Sequence, residues 1–228
     1  MKIAVAGGTG LVGRHLVGAL RRNGHEPVVV ARSTGADAVT GDGLVGALAG
    51  AQVVIDVTST ASTDADEASE FFTTVTKNLM RAEDEVGVGH HVGKLHQEEA
   101  AFGGPVPVSV LRATQFFEFA EMVVGWTRQG DIATVPPLLI QPASARDIAA
   151  ELADLAAGAP MHGTVEVAGP RREDFVDLTR RILTARGQHL EPAWGFGPFH
   201  TDMAGDVLLP DASGRTTPPD LDTWLASE

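Results

Sequence analysis

An α/β fold, a doubly wound parallel sheet with a small carboxyl-terminal annex, is what the sequence predicts, and three observations predict it. Short apolar runs ending in glycine or turn residues alternate with amphipathic stretches over residues 1–129, the rhythm of strand, helix and parallel strand. Continuous aliphatic runs such as Val28-Val29-Val30 and Val53-Val54-Ile55 suit strands buried on both faces, as a parallel sheet covered by helices requires. A glycine-rich turn, "AGGTGLVG", follows the first run and opens the first amphipathic stretch. At 228 residues and 43% hydrophobic content, the chain is long enough for one such domain with a real core.

Taken in order, "KIAVAG" is the first strand and residues 11–22 the first helix, with "EPVVVARS" as the second strand. A short third strand is expected at "DAVTG", a helix near residues 44–49, a fourth strand at "AQVVIDVTS" and a helix over 65–85. A fifth strand opens at His90-His91-Val92 and a helix follows over 95–102. "PVSVLRAT" is the sixth strand, and "QFFEFAEMVVGW" has helical spacing, with Phe116, Phe119 and Val123 forming a stripe more typical of core than of a ligand site. From about Gly130 the texture loosens, with Pro136-Pro137, a helix "ARDIAAELADLAAG", a strand "GTVEVAG", a helix "REDFVDLTRRILTARG" and a Pro/Gly-rich tail. One globular unit follows, with residues 1–129 as sheet core and 130–228 as an annex over the sheet edge.

Composition excludes several function classes. A formal net charge of −13 repels a polyanion, because phosphate-backbone binding depends on Lys and Arg releasing counterions; nucleic acid is not an expected partner. No run of about 18 apolar residues is present, and the amino terminus enters a strand directly, so neither a membrane partner nor a signal sequence is expected and the address is cytoplasmic. The absence of Cys rules out disulfides, thiolate catalysis and Cys-ligated metals. His90, His91 and His96, with Glu98 and Glu99 nearby, lack metal-ligand spacing, since adjacent strand residues point to opposite faces. No metal is expected, and no GxSxG elbow for a serine hydrolase occurs.

Gly7, Gly10 and Gly13 stand at GxxGxxG spacing between first strand and first helix. The plain alternative is a glycine-rich turn without a ligand. In the first βα unit of an alternating chain, dinucleotide binding is the better reading, and the architecture is then Rossmann-like. Gly7 makes the tight turn, Gly10 lets the backbone approach a pyrophosphate, Gly13 lets helix and strand pack, and the helix N-terminus adds partial positive charge. A P-loop fails because Arg14 and His15 stand where Lys and Ser/Thr would be needed. After the second strand, where an acidic residue would hold a ribose 2′-OH, the chain has Arg32 and Ser33. A guanidinium and a hydroxyl suit a 2′-phosphate, so NADP(H) is favoured, with NAD(H) as the second choice.

With "AGGTGLVGRHLVGAL", "VVVARS", "LAGAQVVIDVTS", "NLMRAEDEVGVGHHV", "GKLHQEE" and "VSVLRATQFFEF" in order, and with "ARDIA" and "VEVAGPRRED" beyond them, the chain resembles the atypical short-chain dehydrogenase/reductases, near the NmrA-like NAD(P)-binding group. The resemblance implies a single NAD(P)-binding domain, 1–228, whose annex lies on the substrate side, and hydride transfer in enzymatic members. By the same resemblance Gly7, Thr9, Gly10, Leu11, Val12 and Gly13 form the phosphate loop, Arg32 and Ser33 the 2′-phosphate site, and Asp37 meets the adenine. Thr58 and Ser59, ending the fourth strand, lie where the nicotinamide half passes; Lys94 is the active-site lysine. Thr114 borders the cofactor, and Gln115 and Phe116 border the substrate. A monomer or homodimer is expected.

The chain departs from that pattern after Val92. In the family the strand runs on, carries a Ser near its end and leads through a loop to a Tyr shortly before the Lys, whereas here Gly93-Lys94 follow at once and no Tyr is present. A strand halved in a buried sheet would leave its neighbours' backbone groups unpaired, which argues for a further strand-and-loop segment between Val92 and Gly93. With a phenol there, the family's proton donor would be supplied; without it, Lys94 positions a ribose and no donor is named. Two classes therefore stay open: an NADP(H)-dependent oxidoreductase acting on a small carbonyl or quinone-like compound, and a nucleotide-binding sensor without turnover. Trp194, Phe196, Phe199 and His200, with the aromatic stripe after Gln115, are candidates to wall an apolar pocket for a flat substrate.

Overall fold

The computed structural model describes the chain except residues 63, 87–88, 93–97, 99–101, 104–105, 198, 200, 212–213 and 228. Among the described residues the elements run β1 (Lys2–Ala6), α1 (Leu11–Arg22), β2 (Glu26–Val30), α2 (Leu44–Leu48), β3 (Val53–Asp56), α3 (Ala65–Val86), β4 (Gly89–Val92) and β5 (Val108–Ala113). They continue with α4 (Phe119–Thr127), β6 (Arg128–Gln129), β7 (Ile132–Val135), β8 (Leu139–Ile140), α5 (Ala145–Ala157), β9 (Thr164–Ala168) and β10 (Glu173–Asp174). Last come α6 (Phe175–Ala185), β11 (Glu191–Trp194), β12 (Arg215–Thr216) and α7 (Leu221–Ser227). The main sheet has the order β12-β9-β5-β4-β3-β1-β2, and the pairs β2–β1, β1–β3, β3–β4 and β4–β5 are parallel. The order reverses at β1, as a doubly wound sheet does. Two compact units divide the chain, Met1–Arg112 with Ile148–Val165, and Ala113–Asp147 with Glu166–Glu228.

In the first unit β1 is flanked on both sides, and Ile3, Ala4, Val5 and Ala6 are wholly buried. β2 is outermost. Its Val28 and Val29 are only half-buried, so that aliphatic run is not sealed on both faces as expected, and Pro27 within it is tolerated because an edge strand has N–H groups to spare. α1 buries Gly13, Leu16, Val17, Ala19 and Leu20, spaced as one helical face. One side of the sheet is filled by Ala4, Ala6, Val30 and Val54 against Leu44, Leu48, Val75 and Leu79 of α2 and α3.

One expectation is corrected here, and a second is met on one side only. "DAVTG" is a turn, not a strand: Asp37 Oδ1 accepts the Val39 N–H at 2.8 Å, Asp37 N–H reaches Asp42 O at 2.9 Å, and Gly35, Gly41 and Gly43 have φ of +87°, +86° and +71°. Local hydrogen bonds and left-handed glycines outcompete sheet pairing there. At the shortened junction, β4 has four residues and matches β3 one for one, from Val53 opposite Gly89 to Asp56 opposite Val92. No residue of β3 loses its β4 partner, because β3 is itself only four residues long, whereas among the described residues β4 pairs with only Val108 to Val110 of the six-residue β5. The helix expected over 95–102 falls mostly outside the described residues.

In the second unit Phe117, Ala120, Val123, Leu138, Ile140, Phe175, Leu178, Ile182, Leu221 and Trp224 form one core. A small sheet, β11-β7-β6, and a two-stranded pair, β10-β8, surround it in sequence; these short strands and α7 were not anticipated. Asp174 caps α6 by accepting the Asp177 N–H at 2.9 Å. The expected stripe of Phe116, Phe119 and Val123 is shifted: Phe117, Ala120 and Val123 are buried, and Phe116 and Phe119 only partly. Among the described residues no helix is long and apolar enough to cross a membrane.

Candidate functional site

The turn between β1 and α1 is built from backbone constraints. Gly7 has φ +77°, and a Cβ there would sit 2.8 Å from Val57 O and 2.9 Å from Thr58 N, so glycine is demanded both by conformation and by space. A Cβ on Gly13 would lie 2.2 Å from Gly7 O and 2.7 Å from Gly8 Cα. Gly8, outside the spacing motif, is also confined, with Val29 Cγ1 at 3.0 Å and Val5 O at 3.1 Å from its virtual Cβ; the doublet Gly7-Gly8 was its only signal in the sequence.

Gly10 differs from all three. Its φ of −75° suits any residue, and the nearest atom to a Cβ is Gly7 O at 3.2 Å, so internal packing constrains it least. It caps α1 without a side chain, and no acidic residue occupies the first turn. The first intrahelical bond runs from Arg14 N–H to Gly10 O at 3.1 Å, which leaves the amides of Leu11, Val12 and Gly13 ahead of the helical ladder. Thr9 and Gly10 are exposed, and Leu11 and Val12 half-buried. Open amides beside a residue kept free of a side chain form a cradle that an anion fits.

Arg32 and Ser33 begin a single 3-10 turn after β2 and are both exposed. Thr34 holds that turn, its Oγ1 accepting the Ala31 N–H at 3.0 Å. No ion pair among the described residues involves Arg32. The carboxylate of Asp37 serves its own turn, as described above, rather than standing at a strand end. Thr58 and Ser59 lie beyond β3, which stops at Asp56, because the carboxylate of that residue, 2% exposed, accepts the Thr58 N–H at 2.8 Å. Asp56, an acid inside the apolar run "VVIDVTS", thus shapes the end of β3. The structure thus brings Gly7, Val57 and Thr58 into contact.

In the second unit Thr114, Gln115 and Phe116 form an extended segment after β5. Thr114 donates from N to Val167 O at 3.1 Å and from Oγ1 to Gln141 O at 2.6 Å. Gln115 O accepts the Ala143 N–H at 2.9 Å, and Phe117 N–H donates to Ala143 O at 3.0 Å. These bonds hold the chain straight, so α4 starts at Phe119 rather than near Gln115. Among the described residues the buried Gln115 Oε1 has no hydrogen-bond partner.

Lys94, His96, Glu99 and His200 lie outside the described residues. Glu98, which stood beside the histidines in the sequence, is 7% exposed and accepts from Arg112 Nε at 2.8 Å and Nη2 at 2.7 Å. No group of three described residues could hold a metal. Of the aromatic candidates, Phe119 stands 5.9 Å from Trp126 and 6.3 Å from Phe199, and Trp194 stands 6.5 Å from Phe196. Trp126 is 54% and Trp194 73% exposed.

Residues 3–83 match the model of the NAD dependent epimerase/dehydratase family, a stretch that includes the glycine turn, Arg32, Asp37 and Thr58. No curated protein matches the chain in sequence. Among solved structures, MoeE5 in complex with UDP-glucuronic acid and NAD is similar with TM-score 0.76 and 18% identity, covering 100% of this chain and 97% of that one. The dTDP-4-dehydrorhamnose reductase of Bacillus anthracis in complex with NADP gives 0.71 and 11%, covering 85% and 84%. The UDP-N-acetylglucosamine 4-epimerase of Bacillus cereus gives 0.70 and 17%, covering 100% and 94%. At those identities the likeness establishes the fold, which is Rossmann-like.

Proposed function

We propose that this chain is an NADP(H)-dependent oxidoreductase, an atypical short-chain dehydrogenase/reductase near the NmrA-like group, that transfers hydride to or from a small carbonyl or quinone-like substrate. The observation that carries the reading is the turn at residues 7–13, where Gly7 and Gly13 are fixed by packing while Gly10 keeps the start of α1 clear of side chains. Leu11, Val12 and Gly13 would hold the pyrophosphate through their amides, with Thr9 beside it. Arg32 and Ser33 would take the 2′-phosphate, Asp37 the adenine side, and Thr58, Ser59, Lys94 and Thr114 the nicotinamide side, with Gln115 and Phe116 toward substrate and 130–228 as the substrate-side annex. The family match at residues 3–83 supports a nicotinamide dinucleotide, and solved relatives of the same fold carry NADP in one case and NAD in another. The bound nicotinamide would supply the hydride; Lys94 would orient its ribose.

Calorimetry with NADP(H) and NAD(H) tests the reading directly. Binding of NADP(H) is expected to exceed that of NAD(H), and Arg32→Ala to weaken NADP(H) by about tenfold, one charge-assisted hydrogen bond's worth, with NAD(H) little changed. No heat with any pyridine coenzyme refutes the assignment. A second reading, a nucleotide sensor without turnover, is favoured by one fact: the chain has no Tyr to act as the family's proton donor. Following NADPH absorbance over a panel of ketones, quinones and nucleotide-sugar ketones separates the two, since consumption of cofactor excludes the sensor.

A further inference from the structure

The last helix of the second unit, α7, is held by side chains from other elements rather than by its own length. Its seven residues, Leu221–Ser227, are too few to stay helical unsupported, and Pro218-Pro219 ahead of them have no backbone N–H to donate. Leu221 and Trp224 are each 1% exposed. The Trp224 ring packs 5.1 Å from Phe117, and the guanidinium carbon of Arg186 stands 5.6 Å over it. Two further arginines take the acidic start of the helix: Arg171 Nη2 lies 3.2 Å from Asp220 Oδ2, and Arg181 Nη2 lies 2.6 Å from Asp222 Oδ1.

Arg181 is shared. Its Nη1 lies 3.2 Å from Glu173 Oε2, so one guanidinium on α6 faces a carboxylate on β10 and another on α7. The Glu173 side chain is 15% exposed and that of Asp222 70%. The charged groups that bear on Glu173 are Arg181 and Asp177 on α6, Asp222 on α7 and Arg171 just before β10. Burial is the main cause that raises the Glu173 pKa; Arg181 opposes the rise, Asp177 and Asp222 add to it, and Arg171 opposes it. Asp222 exerts its share only while α7 is docked. Docking therefore makes Glu173 hold its proton more tightly, and by reciprocity a proton on Glu173 makes docking more favourable. With Glu173 neutral, Arg181 serves Asp222 alone. With Glu173 ionised, two carboxylates divide one cation and a like charge stands against α7.

We propose that α7 is a strap that opens as a unit while α6 stays folded, and that Glu173 and Asp222, competing for Arg181, make its docking weaken as pH rises out of the acid range. Opening withdraws the indole of Trp224 from Phe117. No ligand takes part, so the strap stands or falls apart from the proposed function.

Hydrogen exchange on the full chain, read by mass spectrometry from about pH 5 to about pH 8, above the ordinary carboxylate range, and corrected for the intrinsic pH dependence of exchange, tests the strap. In the wild type the opening ratio over residues 221–227 is expected to rise several-fold across that interval, while the ratio over 178–183 in α6 stays level. Glu173→Gln should hold the 221–227 ratio near its acid value throughout. Asp222→Asn should raise that ratio at the acid end and flatten its rise. Circular dichroism confirms the fold of each variant; should Asp222→Asn not fold, Glu173→Gln carries the comparison. A wild-type ratio over 221–227 that does not change with pH overturns the proposal, as does a rise that persists in Glu173→Gln. An equal change over 178–183 also overturns it, since Glu173 would then act on the stability of the whole unit.

Discussion

The turn at 7–13 and the segment at 114–117 each follow a strand of the main sheet, yet they are shaped by opposite means. The first is dictated by what is missing, since Gly7 and Gly13 exclude a Cβ for steric reasons and Gly8 is tightly confined, against the turn itself, β2 and the end of β3. The second is dictated by what reaches it from elsewhere, since four hydrogen bonds to residues 141, 143 and 167 hold a segment of four residues of ordinary type. A site written in local sterics leaves a motif in the sequence. A site written in distant hydrogen bonds leaves none.

The largest effect expected on the second region is through its anchor. Phe117 packs 5.1 Å from Trp224, and both are 1% exposed; Trp224→Ala should lower unfolding free energy by about 3–5 kcal/mol in urea denaturation. A loss under 1 kcal/mol would mean that the segment is not anchored in that core. On the first region, Gly13→Ala places a methyl against backbone that has no rotamer to yield, and a loss of about 1–3 kcal/mol is expected together with loss of coenzyme binding. Gly10→Ala sharpens the contrast. Stability should fall by no more than about 1 kcal/mol, while NADP(H) affinity falls by about tenfold or more, because the new Cβ meets the ligand rather than the protein. If Gly10→Ala and Gly13→Ala behave alike in thermal denaturation, the separation of packing glycines from the ligand glycine is wrong.

The smallest effect is electrostatic. Glu173, paired across β10-β8 with Ile140 next to Gln141, has its pKa raised, chiefly by burial, with Arg181 at 3.2 Å opposing the rise. The folded chain therefore holds that proton more tightly than the unfolded chain. Stability from this group is complete below the ordinary carboxylate range and is lost as pH rises through the raised value. Glu173→Gln removes the loss, so its thermal midpoint should gain on the wild type as pH goes from acid to neutral. A gain in the reverse direction would show that the Arg181 pair dominates.

The fold was legible because periodicity carries it. The bounds of α1 coincide with the expected 11–22, and β1, β3 and β5 fall within their predicted apolar runs. β2 was read as a buried strand because composition alone does not reveal which strand ends up outermost. "DAVTG" has the length and β-branched content of a strand, but the Asp37 carboxylate and three left-handed glycines override that propensity. On the site side, Gly7 and Gly13 were readable from spacing. Gln141 stands in no motif, and Gly169, inside "VEVAGPRRED", carries no assigned role there; only the return of β8 and β9 beside the end of β5 gives them work.

The main sheet has two free margins, and both are poor templates. At one, Pro27 interrupts the row of N–H groups along β2, with Glu26 exposed before it; at the other, β12 is two residues long and exposed. Among the described residues neither margin offers the long flat row of donors and acceptors on which a foreign strand could grow. A chain so arranged should resist fibril formation even when partially opened, and Pro27→Val is the single change that would restore a continuous ladder for seeding.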